Sequence, residues 1–378
     1  MSQTILSNAR IVLADRVIHG HVVLEDGLIA EIGEGATALG EDVGGETLIP
    51  GLVELHTDHI EGHYLPRPKV RWNKLAAIQA HDAQIASSGI TTVFDALRVG
   101  MDENADIGAV DMRDMADSIA QSVADNRLRA DHFIHLRCEV SAADVIGGFE
   151  AMMGNPLIRL ASLMDHAPGQ RQFVNLDTYR MYYQGKMKLT NDEFDRFCQR
   201  RTEESEANAP KSRDHIARRA HEEGIALASH DDATLAHVAE AVNYGIALAE
   251  FPTTLEAARA SHEAGLKVLM GAPNVVRGGS HSGNISAAEL KAAGVLDILS
   301  SDYVPFSLVQ AVFQLGEPSD ADLVEAIRLV TKNPAEAVGL TDRGAIAVGK
   351  RADLVRVRAI TGAPPVVSAV YREGRRVA

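Results

Sequence analysis

The residues most able to do chemistry lie in one short run, Glu54-Leu55-His56-Thr57-Asp58-His59-Ile60-Glu61-Gly62-His63, directly after the turn Pro50-Gly51. Side chains alternate faces along a strand, so His56 and Asp58, two apart, project the same way from its C-terminal end. A strand offers two ligands to one metal in this manner. One imidazole and one carboxylate are only part of a coordination sphere, however, and the segment alone fits a polar strand end equally well.

The rest of the sphere must come from other elements. Between two β-rich ends the pattern alternates strands with helices, which argues for a parallel sheet covered by helices. Eight strand candidates can be counted, at 52–58, 91–97, 132–139, 159–166, 225–231, 246–252, 267–272 and 296–303. That is the count of an α/β (β/α)8 TIM-like barrel, whose C-terminal strand ends carry the chemistry. Those ends hold His56 and Asp58, Asp95, Glu139, His166, His230 with Asp231 and Asp232, Glu250, and Asp302. Any one of these could be a helix cap or a satisfied structural residue. A strand end that is polar in nearly every strand is better explained by a metal centre.

The donors are imidazoles and carboxylates without usable thiolate, which suits Zn, Mn, Fe or Ni and does not choose among them. Two such ions about 4 Å apart can activate water and clamp a leaving oxygen, and Asp302 on the last strand is placed to take the water's proton. His59 and His63 are further imidazoles that could join the set.

A second theme is positive charge near turns. Arg67 and Lys69 follow the first strand, Arg171 the fourth, and Arg277 with His281 the seventh, the last within a Gly-rich loop. Arginine grips phosphate oxygens in pairs, and Gly-rich backbone lets N–H groups approach an anion. Three such segments on one rim favour a small phosphorylated substrate. The long connection after His166 adds Tyr179, Tyr182, Tyr183, Lys186 and Lys188, and its aromatic and basic content would suit a lid.

With a formal net charge of -15, the surface repels nucleic acid and anionic membranes, so a phosphorylated substrate needs local cations or a metal. No apolar run nears the length of a bilayer span and residues 1–10 lack a signal core, which points to the cytoplasm. The two cysteines, Cys138 and Cys198, are too few for a disulfide framework, and Cys138 reads as a small core residue. Assembly into a homo-oligomer is left open.

The terminal regions read as short strands: 5–9, 11–13, 22–25 and 28–32 around the hairpin signal Asp26-Gly27, then 353–358 and 366–371 before Glu373-Gly374. They are expected to pair into one β unit of residues 1–50 and 343–378, with the barrel at 51–342.

Several long motifs resemble the amidohydrolase superfamily: Pro50-Gly51 through His56-Thr57-Asp58, His135-Leu136-Arg137-Cys138-Glu139, Ser162-Leu163-Met164-Asp165-His166, Ser229-His230-Asp231-Asp232, Ser301-Asp302, and Lys332-Asn333-Pro334 through Asp353-Leu354-Val355. The resemblance implies a barrel with a β-sandwich built from both termini, and one or two divalent ions, zinc first. It implies His56, Asp58, Glu139, His166, His230 and Asp302 as ligands, with Asp302 also the general base; Lys186 is read first as a phosphate contact, and as a bridge only if carbamylated. Within the superfamily the motifs are similar to those of enzymes that split ribose methylphosphonate triphosphate into monophosphate and pyrophosphate. C–N bond hydrolysis, the commoner chemistry of the superfamily, is the alternative. The sequence departs from the pattern at His59, where Asn is usual, and at Gly62, where Lys is usual. Both departures adjoin the expected ligands.

Overall fold

The computed structural model describes residues 3–100, 107–171, 180, 184, 190–280, 283–360 and 362–378. Eight parallel strands form the central sheet in chain order, from Leu52–Thr57 and Ile90–Val99 through Asp131–Glu139, Ile158–Met164, Ala226–His230, Leu248–Glu250 and Lys267–Gly271 to Ile298–Ser300. The sheet closes where Thr57 pairs with Asp302, and Asp302 donates its N–H to His56 O at 3.1 Å. Closure therefore seats the last-strand carboxylate beside His56 and Asp58 of the first. This is the TIM-like arrangement expected from the count of strands.

Alternation along the strands separates two cores. Val53, Leu55, Phe94, Leu160, Ala228, Leu248, Leu269 and Ile298 fill the barrel interior. Leu97, Ile134, Leu136 and Cys138 meet the surrounding helices through Met115, Ile119 and Phe149. Cys138 is a core residue, its thiol pushed up by burial.

Both termini build a second, mixed sheet. Its path runs Arg375–Arg376, Ala363–Arg372, Leu354–Ile360, Thr47–Pro50, Gln3–Val12, Val17–Glu25, Leu28–Glu34. The N-terminal pieces expected as separate strands are one strand, irregular between Leu6 and Ala9, where Asn8 has φ 53°. Both hairpin turns form as expected, with positive φ at Asp26, Gly27, Glu373 and Gly374. The chain enters the barrel through Gly51, where a Cβ would stand 2.2 Å from Thr91 Oγ1; only glycine fits there.

Several of the surrounding helices have N-termini fixed by local side chains. Lys74–Ser87 begins where the Asn73 side chain accepts the Ala76 N–H. Asn191–Glu223 opens on a Thr190/Glu193 capping box and stops at Gly224, whose φ is 68°. It buries Arg201, Ser205, Asn208 and Arg213 toward the barrel mouth.

Candidate metal centre

The first strand loses regular register between Glu54 and Thr57, and the carboxylate of Glu54 braces the irregular stretch. Its Oε1 accepts the His56 N–H at 2.6 Å and its Oε2 accepts the Ser301 N–H at 2.5 Å. His56 is thereby turned inward, its Nδ1 3.2 Å from Glu250 Oε1. Its ring centroid lies 5.8 Å from that of His230, which is 5.7 Å from His166.

Among the described residues three groups have ligand atoms within 4.8 Å of one another: His56–His230–Glu250, His166–His230–Asp231, and, on the outer side of the sheet, His81–Asp95–His132. Glu139 adjoins the second, with Oε2 2.6 Å from His166 Nδ1. Burial alone would raise the Glu139 carboxyl, but His166, Ser141 and Arg201 hold it down at about 2. Burial, reinforced by Arg137 and His230, pushes His56 well below the ordinary imidazole range. It is thus neutral, and donation from Nδ1 to Glu250 leaves Nε2 with its lone pair, as a metal-bound histidine requires.

Asp302 is pushed up to about 7, by burial first and then by the charge of Asp58. Arg137 sits among the acids, with Nη1 3.1 Å from Asp58 Oδ2. Its Nε is buried with no hydrogen-bond partner among the described residues. Asp231, Phe251 and Asp302, all at strand ends, have φ between 52° and 58°, a region costly for residues other than glycine. Strained ends that converge on imidazoles and crowded carboxylates make a nitrogen and oxygen donor set that fits a divalent cation.

Not every strand-end residue joins it. Asp95 faces outward, against His81 at 2.8 Å and His132 at 2.7 Å, because Phe94 takes the interior position. Asp232 is bound by Ser229 and Arg171. Arg171 is itself buried, paired with Asp232 and with Glu240 at 2.5 Å. Arg67, Lys69 and Arg277 are exposed. Lys186 and His281 lie outside the described residues, as do Tyr179, Tyr182, Tyr183 and Lys188. His59 and His63 turn to Gln84, at 3.0 and 3.2 Å, on helix Lys74–Ser87.

The ligand set implied by the resemblance omits Glu250 and Asp231, although both count among the polar strand ends. It also passes over His135 and Ser162. The Ser162 hydroxyl lies between His135 Nε2 and Glu250 Oε2, the latter 2.7 Å away. A histidine between Ile134 and Leu136 and a serine between Ala161 and Leu163 are the signal by which the sequence could have shown them.

A sequence model of the amidohydrolase family matches residues 73–378. The chain belongs to the amidohydrolase family. As a family member it is 44% identical over 377 residues to the alpha-D-ribose 1-methylphosphonate 5-triphosphate diphosphatase of Escherichia coli K12, covering 99% of this chain and all of that one. Among solved structures, this amidohydrolase is similar to an N-acetyl-D-glucosamine-6-phosphate deacetylase from Mycobacterium smegmatis, with TM-score 0.66, 16% identity and full coverage of both chains. It is also similar to a dihydropyrimidinase from Brevibacillus agri, with TM-score 0.63, 13% identity, and 99% and 95% coverage. At those identities the two structures bear on the fold alone.

Proposed function

We propose that this amidohydrolase hydrolyses alpha-D-ribose 1-methylphosphonate 5-triphosphate to the 5-phosphate and pyrophosphate. The observation that carries the reading is 44% identity to a diphosphatase of that substrate along the whole chain. Supporting it is a site in which a half-buried arginine stands among carboxylates, an arrangement suited to an anionic substrate that arrives with its own cations.

In this reading His56, Asp58, Glu139, His166, His230 and Asp302 hold one or two divalent ions, zinc first, with Glu250 and Asp231 as neighbours that orient the imidazoles. A bound ion would supply Lewis acidity and lower the pKa of water. Asp302 takes a proton from the attacking water at a carboxylate oxygen and returns it to a phosphate oxygen. Arg137 directs its unpartnered Nε–H at a phosphoryl oxygen, while Arg67, Lys69 and Arg277 meet the outer phosphates from the rim. Lys186 and His281, outside the described residues, are proposed as further phosphate contacts. The terminal segments 1–50 and 343–378 form the unit that clasps the barrel of 51–342, and the enzyme works in the cytoplasm. No helix among the described residues is long and apolar enough to cross a membrane.

The test is to incubate the metal-loaded protein with the ribose phosphonate triphosphate and with nucleoside triphosphates, and to assay pyrophosphate. Release from the ribose compound supports the proposal. Release from none of them, with turnover of an amide or cyclic amide, would establish C–N hydrolysis instead.

A further inference from the structure

Behind the candidate centre, on the outer side of the first strands, three imidazoles meet. His59 and His63 are four residues apart on the short helix Ile60–Tyr64 and its N-terminal flank, a spacing that puts both on one face. Their ring centroids are 5.1 Å apart, and each Nε2 reaches the same atom, Gln84 Oε1, at 3.0 and 3.2 Å. His81, one turn earlier on the helix that carries Gln84, has its ring centroid 6.1 Å from His59 and 5.8 Å from His63.

His81 is fully buried and only half satisfied. Its Nε2 lies 2.8 Å from Asp95 Oδ1, whereas Nδ1 has no hydrogen-bond partner among the described residues. A buried polar atom left in that state is unfavourable to the fold unless something else meets it. The arrangement matches how a metal-ligating histidine is held: a carboxylate takes the N–H of one ring nitrogen and fixes the tautomer, which points the lone pair of the other at the ion. Burial lowers the proton affinity of His81 and His63, so both rings are neutral at pH 7. With nitrogens about 2.0–2.1 Å from a tetrahedral ion, ring centroids would stand roughly 5 Å apart. The rings of His59 and His63 stand 5.1 Å apart, and those of His59 and His81 and of His63 and His81 6.1 and 5.8 Å, so closure on an ion requires His59 and His63 to rotate toward His81.

We propose that His59, His63 and His81 form a second divalent transition-metal site, with Gln84 Oε1 or water as fourth ligand. It shares no residue with the centre around His56, His166 and His230. An ion there ties the helix that follows Asp58 to helix Lys74–Ser87.

The experiment uses the full chain, stripped with chelator and reloaded with Zn2+ or with Co2+ alone, and compares the wild type with the double variant His59→Asn/His63→Gln. Both substituted side chains are half-buried, so folding should survive; the single variant His63→Gln provides a milder check. The expected result is one equivalent less zinc in the double variant, with loss of part of the Co2+ visible absorption. Equal zinc content and identical cobalt spectra would overturn the proposal. Metal is counted without substrate, so the outcome is independent of which phosphoric anhydride the enzyme cleaves.

Discussion

Glu139 Oε2 and His166 Nδ1 stand 2.6 Å apart, and the contact couples the third barrel strand to the loop after the fourth. The same carboxylate accepts the His166 N–H at 3.2 Å and the Ser141 hydroxyl at 2.5 Å. Glu139 is thus both a candidate ligand and the group that orients another. Glu139→Gln keeps the shape but removes the charge, and metal retention should weaken by about 10–100-fold or more. Zinc content after dialysis, read beside turnover, checks this; unchanged values of both would remove Glu139 from the centre.

Asp302 differs from the other carboxylates because burial and Asp58 push it up to about 7, toward the range useful for proton transfer near neutrality. Asp302→Asn should reduce kcat by about 10²–10⁴-fold, the usual worth of a general base, and leave KM within a few-fold. Near-normal kcat in steady-state pyrophosphate release would end its assignment as the base.

Two arginines that look alike in sequence should behave differently. Arg171 is buried against Asp232 and Glu240, and its loss strands the buried carboxylate of Asp232; breaking such a pair costs about 3–5 kcal/mol. Arg67 is exposed on the rim. Arg171→Met should therefore lower Tm by many degrees, whereas Arg67→Ala should leave Tm in place and raise KM for the triphosphate. Thermal denaturation together with KM distinguishes them, and the reverse pattern would mean that Arg171 serves substrate.

The contrast shows which parts of the molecule are legible in the sequence. Strand count and hairpin turns follow from local alternation and from Asp26-Gly27 and Glu373-Gly374, so they can be read directly. The inward direction of His56 depends on an irregularity braced by Glu54 and Ser301, residues 247 apart in sequence, and no local pattern encodes that. Asp95 is expected at the mouth because it falls near the end of a predicted strand. The strand in fact runs on to Val99, and Phe94 rather than Asp95 faces the interior. Arg171 shows the same limit, since a Gly-Gln-Arg turn looks equally suited to phosphate until Asp232 and Glu240 arrive beside it.

The outward-facing group of Asp95, His132 and Asp82 yields a pH prediction away from the mouth. His132 Nδ1 is 2.7 Å from Asp95 Oδ2, and its Nε2 is 3.4 Å from Asp82 Oδ1. Burial alone would lower this histidine, but Asp95 and Asp82 raise it to about 9. A histidine whose folded-state value exceeds its unfolded value of about 6.5 stabilises the fold fully below that value. Its contribution fades as pH rises through about 9. The stabilisation is on the order of 1–3 kcal/mol, since a tenfold change in proton affinity is worth about 1.4 kcal/mol. Urea unfolding of the wild type should therefore show stability declining from pH 6.5 to 9.5 more steeply than in His132→Gln, which cannot take the charge. Parallel curves for the two proteins would show that His132 is not protonated in the folded chain.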